Sequence, residues 1–171
     1  MNDSYQPSAP LGDDLRPAVN VDFCDAVAYC DWAGERLCGD LSGAALTITD
    51  LLDATKSQWY LACAGTDDEY YPYGNNDNKI ADACNEYGSG LMADVGSFSL
   101  CEGHYKGVFD LVGNAYEWID SCDDAGGSDR SMDNCAIMGG SYLRPDYKCQ
   151  SHDQALRSES AAVFGFRCCS K

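Results

Sequence analysis

Eleven cysteines in 171 residues are the side chains of this sequence best suited to chemistry. A thiolate is a nucleophile and a soft metal ligand, whereas paired thiols in an oxidising compartment form disulfides. No two cysteines have the Cys-x-x-Cys spacing of zinc ribbons, and the sequence has only two histidines, His104 and His152. This cysteine density is typical of a disulfide framework, and we therefore expect a secreted, periplasmic or cell-surface protein.

Serine catalysis has little support in the sequence. Ser141 follows Gly139-Gly140 and lacks the Gly-x-Ser-x-Gly context of a nucleophile elbow. Neither histidine lies in a recognisable motif, so both are interpreted as surface or loop residues rather than metal ligands.

Composition indicates a single globular domain with a hydrophobic core. No apolar run approaches the roughly 18 residues of a membrane span, so direct membrane insertion is not expected. The polar residues 1–12 lack the apolar region of a signal peptide, which conflicts with export. The conflict disappears if the chain is part of a longer exported protein, and a missing N-terminal segment or neighbouring domain is therefore a predicted partner.

The net charge of −17 argues against a nucleic-acid partner, because the phosphates would be repelled. A solvated acidic surface explains most of this charge. Calcium coordination by some of the carboxylates is the more specific alternative.

Capping patterns place two helices that must position the later segments. Residues 1–16 are predicted to be a flexible lead-in and residues 17–171 the domain. The first helix is predicted near Asp22 to Ala33, with a capping box from Asp22 and Asp25. The second is predicted to open at Thr55, with Gln58 three residues later, and to carry three side chains into the core, Trp59, Tyr60 and Cys63.

The rest of the chain predicts short strands and ordered loops. Residues 65–109 are rich in Gly, Asn, Asp and Tyr, with strand pieces predicted at 95–98 and 107–111. A polar loop is predicted over residues 120–135. Two further strands are predicted over 136–142 and 163–169.

Two cysteine pairs follow from loop position. Cys122 and Cys135 bracket the polar loop and are expected to close it, and Cys84 and Cys101 are expected to do the same around another loop.

Six further segments stand in order around Gly107 to Trp118, which contains Gly113-Asn114-Ala115-Tyr116-Glu117-Trp118. They are Pro17 to Val21, Asp25 to Cys30, Trp32 to Leu37, Tyr71 to Asn75, Gly139 to Tyr142 and Gly165 to Cys168. In this order the segments resemble the formylglycine-generating enzyme, or sulfatase-modifying factor, family. The resemblance covers about Pro17 to Cys169.

The resemblance implies an α+β, C-type-lectin-like fold that is rich in loops. Such a fold buries few apolar contacts per residue, so disulfides are expected to staple it. Relative to the family pattern, residues 39–54 are an insertion.

The resemblance also implies one long-range disulfide, Cys30–Cys168. Cys63 matches a family cysteine whose usual partner falls near Gln154, so Cys149 becomes its nearest candidate in sequence. Three cysteines remain, of which two can pair and one stays odd: Cys24, Cys38 and Cys169.

Members of this family bind Cu(I) through two cysteines five residues apart and oxidise a substrate cysteine with oxygen. Two thiolates are soft ligands that suit Cu(I). Here Arg144 occupies the first cysteine position and Cys149 the second, while Ser141 matches an active-site serine. A guanidinium has no lone pair to give and cannot replace a thiolate. Cys149 is therefore interpreted as structural, with a surviving copper site as the alternative.

The resemblance further implies a calcium site in the Gly113-Asn114 segment. Carried over, its ligands are the side chains of Asp110 and Glu117 and the carbonyls of Gly113 and Ala115. Carboxylate and carbonyl oxygens are the ligands that calcium prefers. The alternative is that Asn114 and Glu117 make only local turn hydrogen bonds.

Two functions follow from these observations. The first is an exported bacterial domain, stabilised by calcium and disulfides, that binds a peptide, protein or carbohydrate without oxidase activity. Its predicted ligand surface comprises Tyr142, Arg144, Asp146 and Tyr147, and Tyr70, Tyr71 and Tyr73 are a further candidate groove. The second is a copper-dependent oxidoreductase that converts a sulfatase cysteine to formylglycine, with Cys149 and Ser141 as catalytic residues.

Overall fold

Two α-helices and six short strands form most of the regular structure of the described residues. The computed structural model describes residues 15–74, 80–86, 90–123, 126, 129–143 and 147–170. The helices are α1 (Phe23–Trp32) and α2 (Gln58–Ala64). The strands are β1 (Arg36–Leu37), β2 (Tyr116–Cys122), β3 (Asn134–Met138), β4 (His152–Leu156), β5 (Phe164–Phe166) and β6 (Cys168–Cys169). In the described residues, neither helix is long and apolar enough to cross a membrane.

Helix α1 begins where its capping box predicts. The Asp22 side chain accepts a hydrogen bond from the backbone N–H of Asp25, and the Asp25 side chain accepts one from the backbone N–H of Asp22. These bonds satisfy two N–H groups that the first helical turn leaves unpaired. The helix buries Phe23, Ala26 and Cys30.

Helix α2 begins two residues later than predicted. Asp53 accepts hydrogen bonds from the backbone N–H and the hydroxyl of Thr55, which holds Thr55 in the preceding turn. Ser57 is the N-cap instead, and its hydroxyl accepts from the backbone N–H of Tyr60 at 3.2 Å. The three side chains predicted to face the core are buried.

A four-stranded sheet in the order β4-β3-β2-β5 carries the second half of the chain. Strand β2 runs antiparallel to β3 and parallel to β5, and β3 runs antiparallel to β4. Strand β2 is covered on both faces of the sheet, since its neighbouring residues Trp118 and Ile119 are both fully buried. Strands β1 and β6 form a separate antiparallel pair.

Several strand predictions were wrong in extent. The segments 95–98 and 107–111 form no strand, and only an isolated bridge joins Phe109 to Glu102. Positive φ angles at Gly107 and Asp110 interrupt the extended backbone there. The last predicted strand divides into β5 and β6 on either side of Arg167. Strand β2 and a 3₁₀ turn at Arg130–Met132 occupy part of the expected polar loop.

Two clusters of buried side chains form the core. One surrounds α2 and includes Trp59, Leu111 and Met138, and the inserted segment 39–54 contributes Leu46 and Leu51 to it. The other joins α1 to the sheet through Phe23 and Trp118, whose rings meet edge to face at 6.1 Å.

Five disulfides staple these elements, which agrees with the predicted α+β, disulfide-stapled fold. They join Cys30–Cys168, Cys38–Cys169, Cys63–Cys149, Cys84–Cys101 and Cys122–Cys135. Four of these are the pairs expected from the sequence, and the fifth joins two of the three cysteines left over. Cys24 is a free, exposed thiol.

Candidate functional site

The sulfur of Cys149 is engaged in a structural bridge. It is bonded to Cys63 on helix α2, and both cysteines are fully buried in the core. The backbone N–H of Cys149 donates to the carbonyl of Tyr70 at 2.8 Å. A bridged sulfur has no thiolate lone pair for a metal or for nucleophilic attack, so the residue expected to share a copper site does not fit Cu(I) in this form.

Ser141 is buried beside a tight double-glycine turn. Its hydroxyl accepts from the backbone N–H of Leu143 at 3.4 Å, a local turn interaction. Gly139 and Gly140 have φ angles of +85° and +80°. A Cβ on Gly140 would lie 2.0 Å from the Tyr147 ring, so this ring packs directly on the glycine backbone.

The structure describes part of the predicted ligand surface. Tyr142 and Tyr147 are both partly exposed, and the Tyr147 hydroxyl lies 2.9 Å from that of Tyr116. Arg144 and Asp146 lie outside the described residues. The tyrosines of the further candidate groove are nearby: Tyr71 and Tyr73 stack at 5.0 Å, and the ammonium of Lys148 lies 4.6 Å from the centroid of the Tyr70 ring.

The two histidines have separate partners. His104 Nε2 lies 2.9 Å from Glu69 Oε2, and His152 Nδ1 lies 2.9 Å from the carbonyl of Gln150. In the described part of the chain, no three or more His, Cys, Asp or Glu side chains form a group that could hold a metal ion.

A cavity of about 760 Å³ lies between α1, the segment before it and strand β5. We call it the large cavity. Its apolar wall includes Tyr29, Val95, Phe109 and Phe166, and its polar groups include the side chains of Asp110, Asn114, Glu117 and Arg167. The size and mostly apolar lining match those of small-ligand sites in proteins.

An ion pair closes one side of the large cavity. The guanidinium of Arg167 donates through Nε and Nη2 to the two carboxylate oxygens of Glu117. Trp59 Nε1 donates to the same carboxylate at 2.7 Å, and Arg167 Nη2 also donates to the carbonyl of Phe109 at 2.9 Å. The two-point geometry and partial burial make this a strong charge-assisted contact.

Asp110 supplies a second carboxylate, which accepts fewer hydrogen bonds than Glu117 does. The residue is 7% exposed, and its Oδ2 accepts from the backbone N–H of Gly96 at 2.7 Å. Burial raises the pKa of this carboxyl above its usual value, although the nearby Arg167 charge acts in the opposite direction. A raised pKa in a cavity is a feature of functional sites.

Asn114 holds the loop that borders the site. Its side-chain oxygen accepts from the N–H of Ala93 and from Asn85 Nδ2, and its side-chain nitrogen donates to the Ala93 carbonyl. These partners are 21 and 29 residues away in sequence. The alternative of purely local turn bonds for Asn114 and Glu117 is therefore wrong.

The expected calcium ligands fit only in part. Asp110, Ala115 and Glu117 all line the large cavity. The backbone of Gly113 packs closely, since a Cβ there would lie 2.4 Å from the Asn85 carbonyl oxygen. Asp110 suits a cation, whereas Glu117 is already neutralised by Arg167 and would have to leave that partner.

Sequence reasoning missed the cavity and the role of Arg167. The available signal was the position of Arg167 directly after the apolar residues Val163 to Phe166, because a cation buried there needs an anionic partner. The apolar wall had no signal, since its residues come from five separate segments.

Comparison with known proteins places these features in context. Residues 5–171 match the model of the sulfatase-modifying factor enzyme 1-like domain. The formylglycine-generating enzyme of Bos taurus is 25% identical over 185 residues, which cover 89% of this chain and 43% of that protein. The inactive C-alpha-formylglycine-generating enzyme 2 of Mus musculus is 27% identical over 187 residues, covering 96% and 54%. The chain thus spans about half the length of these relatives.

Solved structures show the same fold at low sequence identity. PvdO from Pseudomonas aeruginosa has a TM-score of 0.65 at 23% identity, covering 95% of this chain and 62% of that one. Treponema denticola variable protein 1 has a TM-score of 0.60 at 19% identity, covering 97% and 75%.

Proposed function

This chain belongs to the sulfatase-modifying factor enzyme 1-like family, and we propose that it is a ligand-binding domain without oxidase activity. The observation that carries this proposal is the Cys63–Cys149 disulfide in the core. Relatives include both formylglycine-generating enzymes and a protein named as inactive, so family membership alone does not decide the activity.

Copper chemistry would need two thiolates at this position. Arg144 supplies none, and the sulfur of Cys149 is bonded and shielded from solvent. The free thiol, Cys24, lies on α1 beside Arg157, whereas Cys149 is bonded to Cys63 on α2. The donor set therefore does not fit Cu(I), and we derive no step through it.

The large cavity is the proposed ligand site. Its wall supplies aromatic and aliphatic contacts, and Asp110 supplies one buried acceptor beside them. A carbohydrate would need more polar partners than this wall offers, whereas the apolar side chain of a peptide or protein suits it. A hydrogen-bond donor on the ligand would pair with Asp110.

A matched pair of aromatic residues tests this site. Tyr29 lines the large cavity and is 53% exposed, whereas Tyr105 is 52% exposed and does not line it. Peptides selected from a displayed random library on the intact chain would be titrated against both alanine variants by calorimetry. We expect Tyr29→Ala to weaken binding about tenfold and Tyr105→Ala to leave it unchanged. Equal affinity for both variants, or no selectable peptide, would refute the site.

The oxidase alternative has its own assay. The chain would be reduced mildly, loaded with copper and incubated with oxygen and a sulfatase-type peptide that contains one cysteine. We expect no aldehyde product by mass spectrometry. Turnover would reject the proposal, and its loss in a Cys149→Ser variant would show that the bridge can open.

Calcium binding is the second part of the proposal, with Asp110 and the carbonyls of Gly113 and Ala115 as ligands. Glu117 joins them only if it releases Arg167. Millimolar calcium is expected to raise the melting temperature of the wild type and not that of Asp110→Asn. An equal response of the two proteins to calcium and to chelator would reject this ligand set.

Export remains part of the proposed setting. Five disulfides suit an oxidising compartment such as the cell exterior or the periplasm. Formation of all five bridges only when the protein is routed out of a bacterial cytosol would support this assignment, and full oxidation in a reducing cytosol would oppose it.

A further inference from the structure

A second, smaller cavity of about 360 Å³ lies on the other side of helix α1. Its lining includes three arginines, and we call it the arginine cavity: Arg36, Arg130 and Arg157, with Phe23, Val27, Asp31, Leu37, Ala45, Leu46, Asp120 and Cys122. Asp25 and Tyr29 of α1 face the large cavity, whereas Val27 and Asp31 face this one. The helix thus separates two independent sites.

This cavity is lined by several positive charges, whereas the molecule as a whole is negative. Three of the eleven Lys and Arg residues line it together with two carboxylates, and one of the three, Arg130, also pairs with the buried Asp133, in a chain of net charge −17. Concentrating positive charge in one concave place focuses the local potential and attracts anions.

Arg36 has unused hydrogen-bonding capacity in the cavity wall. Its Nη2 donates to the carbonyl of Asp40 at 2.6 Å. Its Nε is buried and has no hydrogen-bond partner in the described structure. A buried donor left unpaired costs free energy, and an anion in the cavity would satisfy it.

Arg157 is fixed in place by neighbours that do not neutralise it. Its guanidinium carbon lies 4.8 Å from the Phe23 ring centroid, and its Nε donates to the Cys24 sulfur at 3.4 Å. The backbone N–H of Arg157 also donates to the carbonyl of Asp133 at 2.8 Å. Such a pre-positioned guanidinium loses little freedom when it binds a carboxylate or an oxyanion.

Asp120 lies in the same cavity and does not neutralise the charges of Arg36 and Arg157. In the described structure no ion pair within 4.0 Å joins Asp120 to Arg36 or Arg157. Burial raises the pKa of the Asp120 carboxyl, although the charges of Arg36 and Arg157 act in the opposite direction. The acid therefore shares the cavity with the arginines and does not satisfy them.

We propose that the arginine cavity binds a small organic anion. Its carboxylate, sulfate or phosphate group meets the arginines, and its apolar portion packs against Phe23, Val27 and Leu46. The volume exceeds that of a bare oxyanion, and the apolar lining accounts for the rest of the ligand. This site is separate from the proposed ligand site in the large cavity, so either can fail without the other.

Calorimetric titration of the intact chain with three probes tests the proposal. Benzoate and phenyl phosphate carry the two types of anionic group, and benzamide is the neutral match for benzoate. We expect saturable binding of at least one anion and none of benzamide. The anion that binds more tightly then shows whether the site prefers a planar carboxylate or a tetrahedral phosphate.

Four variants locate the binding. Arg36→Gln and Arg157→Gln are expected to weaken binding about tenfold or more. Asp120→Asn removes a competing negative charge and is expected to tighten binding several-fold. Lys106→Gln, an exposed charge that lines neither cavity, is the control for net charge and should leave affinity unchanged.

The outcomes are decisive even if one arginine variant fails to fold. Arg130 is 56% exposed and pairs with the buried Asp133 at 2.6 Å, so Arg130→Gln is combined with Asp133→Asn, and the double variant is expected to fold and to weaken binding. Equal binding of benzamide, an equal loss in Lys106→Gln, or weaker binding by Asp120→Asn would each overturn the proposal.

Discussion

The guanidinium of Arg167 donates hydrogen bonds to both carboxylate oxygens of Glu117, which lies 50 residues earlier in the chain. This contact joins strand β2 to the turn between β5 and β6, next to the parallel register that pairs Trp118 with Phe166. It therefore fixes the C-terminal strands on the sheet and shapes one wall of the large cavity.

Replacing Arg167 by methionine should destabilise the fold by roughly 3 kcal/mol. The change leaves Glu117 as an uncompensated, mostly buried charge, and the value is at the lower end for a buried pair because 23% of the Arg167 side chain is exposed. Urea unfolding followed by fluorescence measures the change. Adding Glu117→Gln should restore part of the loss, and a double variant as unstable as the sum of the two single variants would contradict direct coupling.

Asp110→Asn should raise stability at neutral pH in the absence of calcium. Burial raises the pKa of the folded carboxyl above its usual value, so the folded state holds this proton more tightly than the unfolded state. The contribution of Asp110 to stability is therefore favourable at low pH and falls as pH rises through the folded pKa. Unfolding free energies from pH 3 to 7 should show the variant gaining on the wild type as pH rises, and parallel profiles would contradict this.

Gly140→Ala should cost roughly 3 kcal/mol, from a positive φ and from overlap with the Tyr147 ring. Gly34→Ala is the matched control, because Gly34 has a φ of +83° and no atom within 4 Å of an added Cβ. It should cost only the backbone term, about 1–2 kcal/mol. Thermal unfolding compares the two, and equal losses would mean that the Tyr147 contact is unimportant.

Iodoacetamide should label one thiol in the unreduced protein and eleven after reduction and denaturation. Peptide mass spectrometry should place the single label on Cys24, and Cys24→Ser should remove it. Labelling of Cys149 without reduction would contradict both the disulfide arrangement and the assignment of this domain as a non-oxidase.

Local signals predicted the parts of the fold that depend on neighbouring residues. The capping box at Asp22 placed α1, and loop-bracketing cysteines placed the Cys84–Cys101 and Cys122–Cys135 bridges. Strand β4 was missed because only Ala155 of its five residues is buried, so it lacks an apolar alternation. The start of α2 was predicted at Thr55 and lies at Ser57, because both residues are of types that commonly cap helices.

Most of the candidate sites could not be predicted in this way. Glu117 and Asp110 were predicted from the sequence as calcium ligands, but their surroundings depend on Arg167 and Gly96, which tertiary packing brings to them. The arginine cavity likewise draws Arg36, Arg130 and Arg157 from three distant segments. Spacing along the chain carries no information about such convergence.

The adjacent cysteines at the C-terminus impose an order on biosynthesis. Cys168 and Cys169 anchor bridges to Cys30 and Cys38, with sequence separations of 138 and 131. Neither bridge can close until Cys168 and Cys169 have been synthesised, so Cys30 and Cys38 wait for partners made more than 130 residues later. A chain that stopped before Cys168 would lack both cysteines and would leave Cys30 and Cys38 open to wrong pairing.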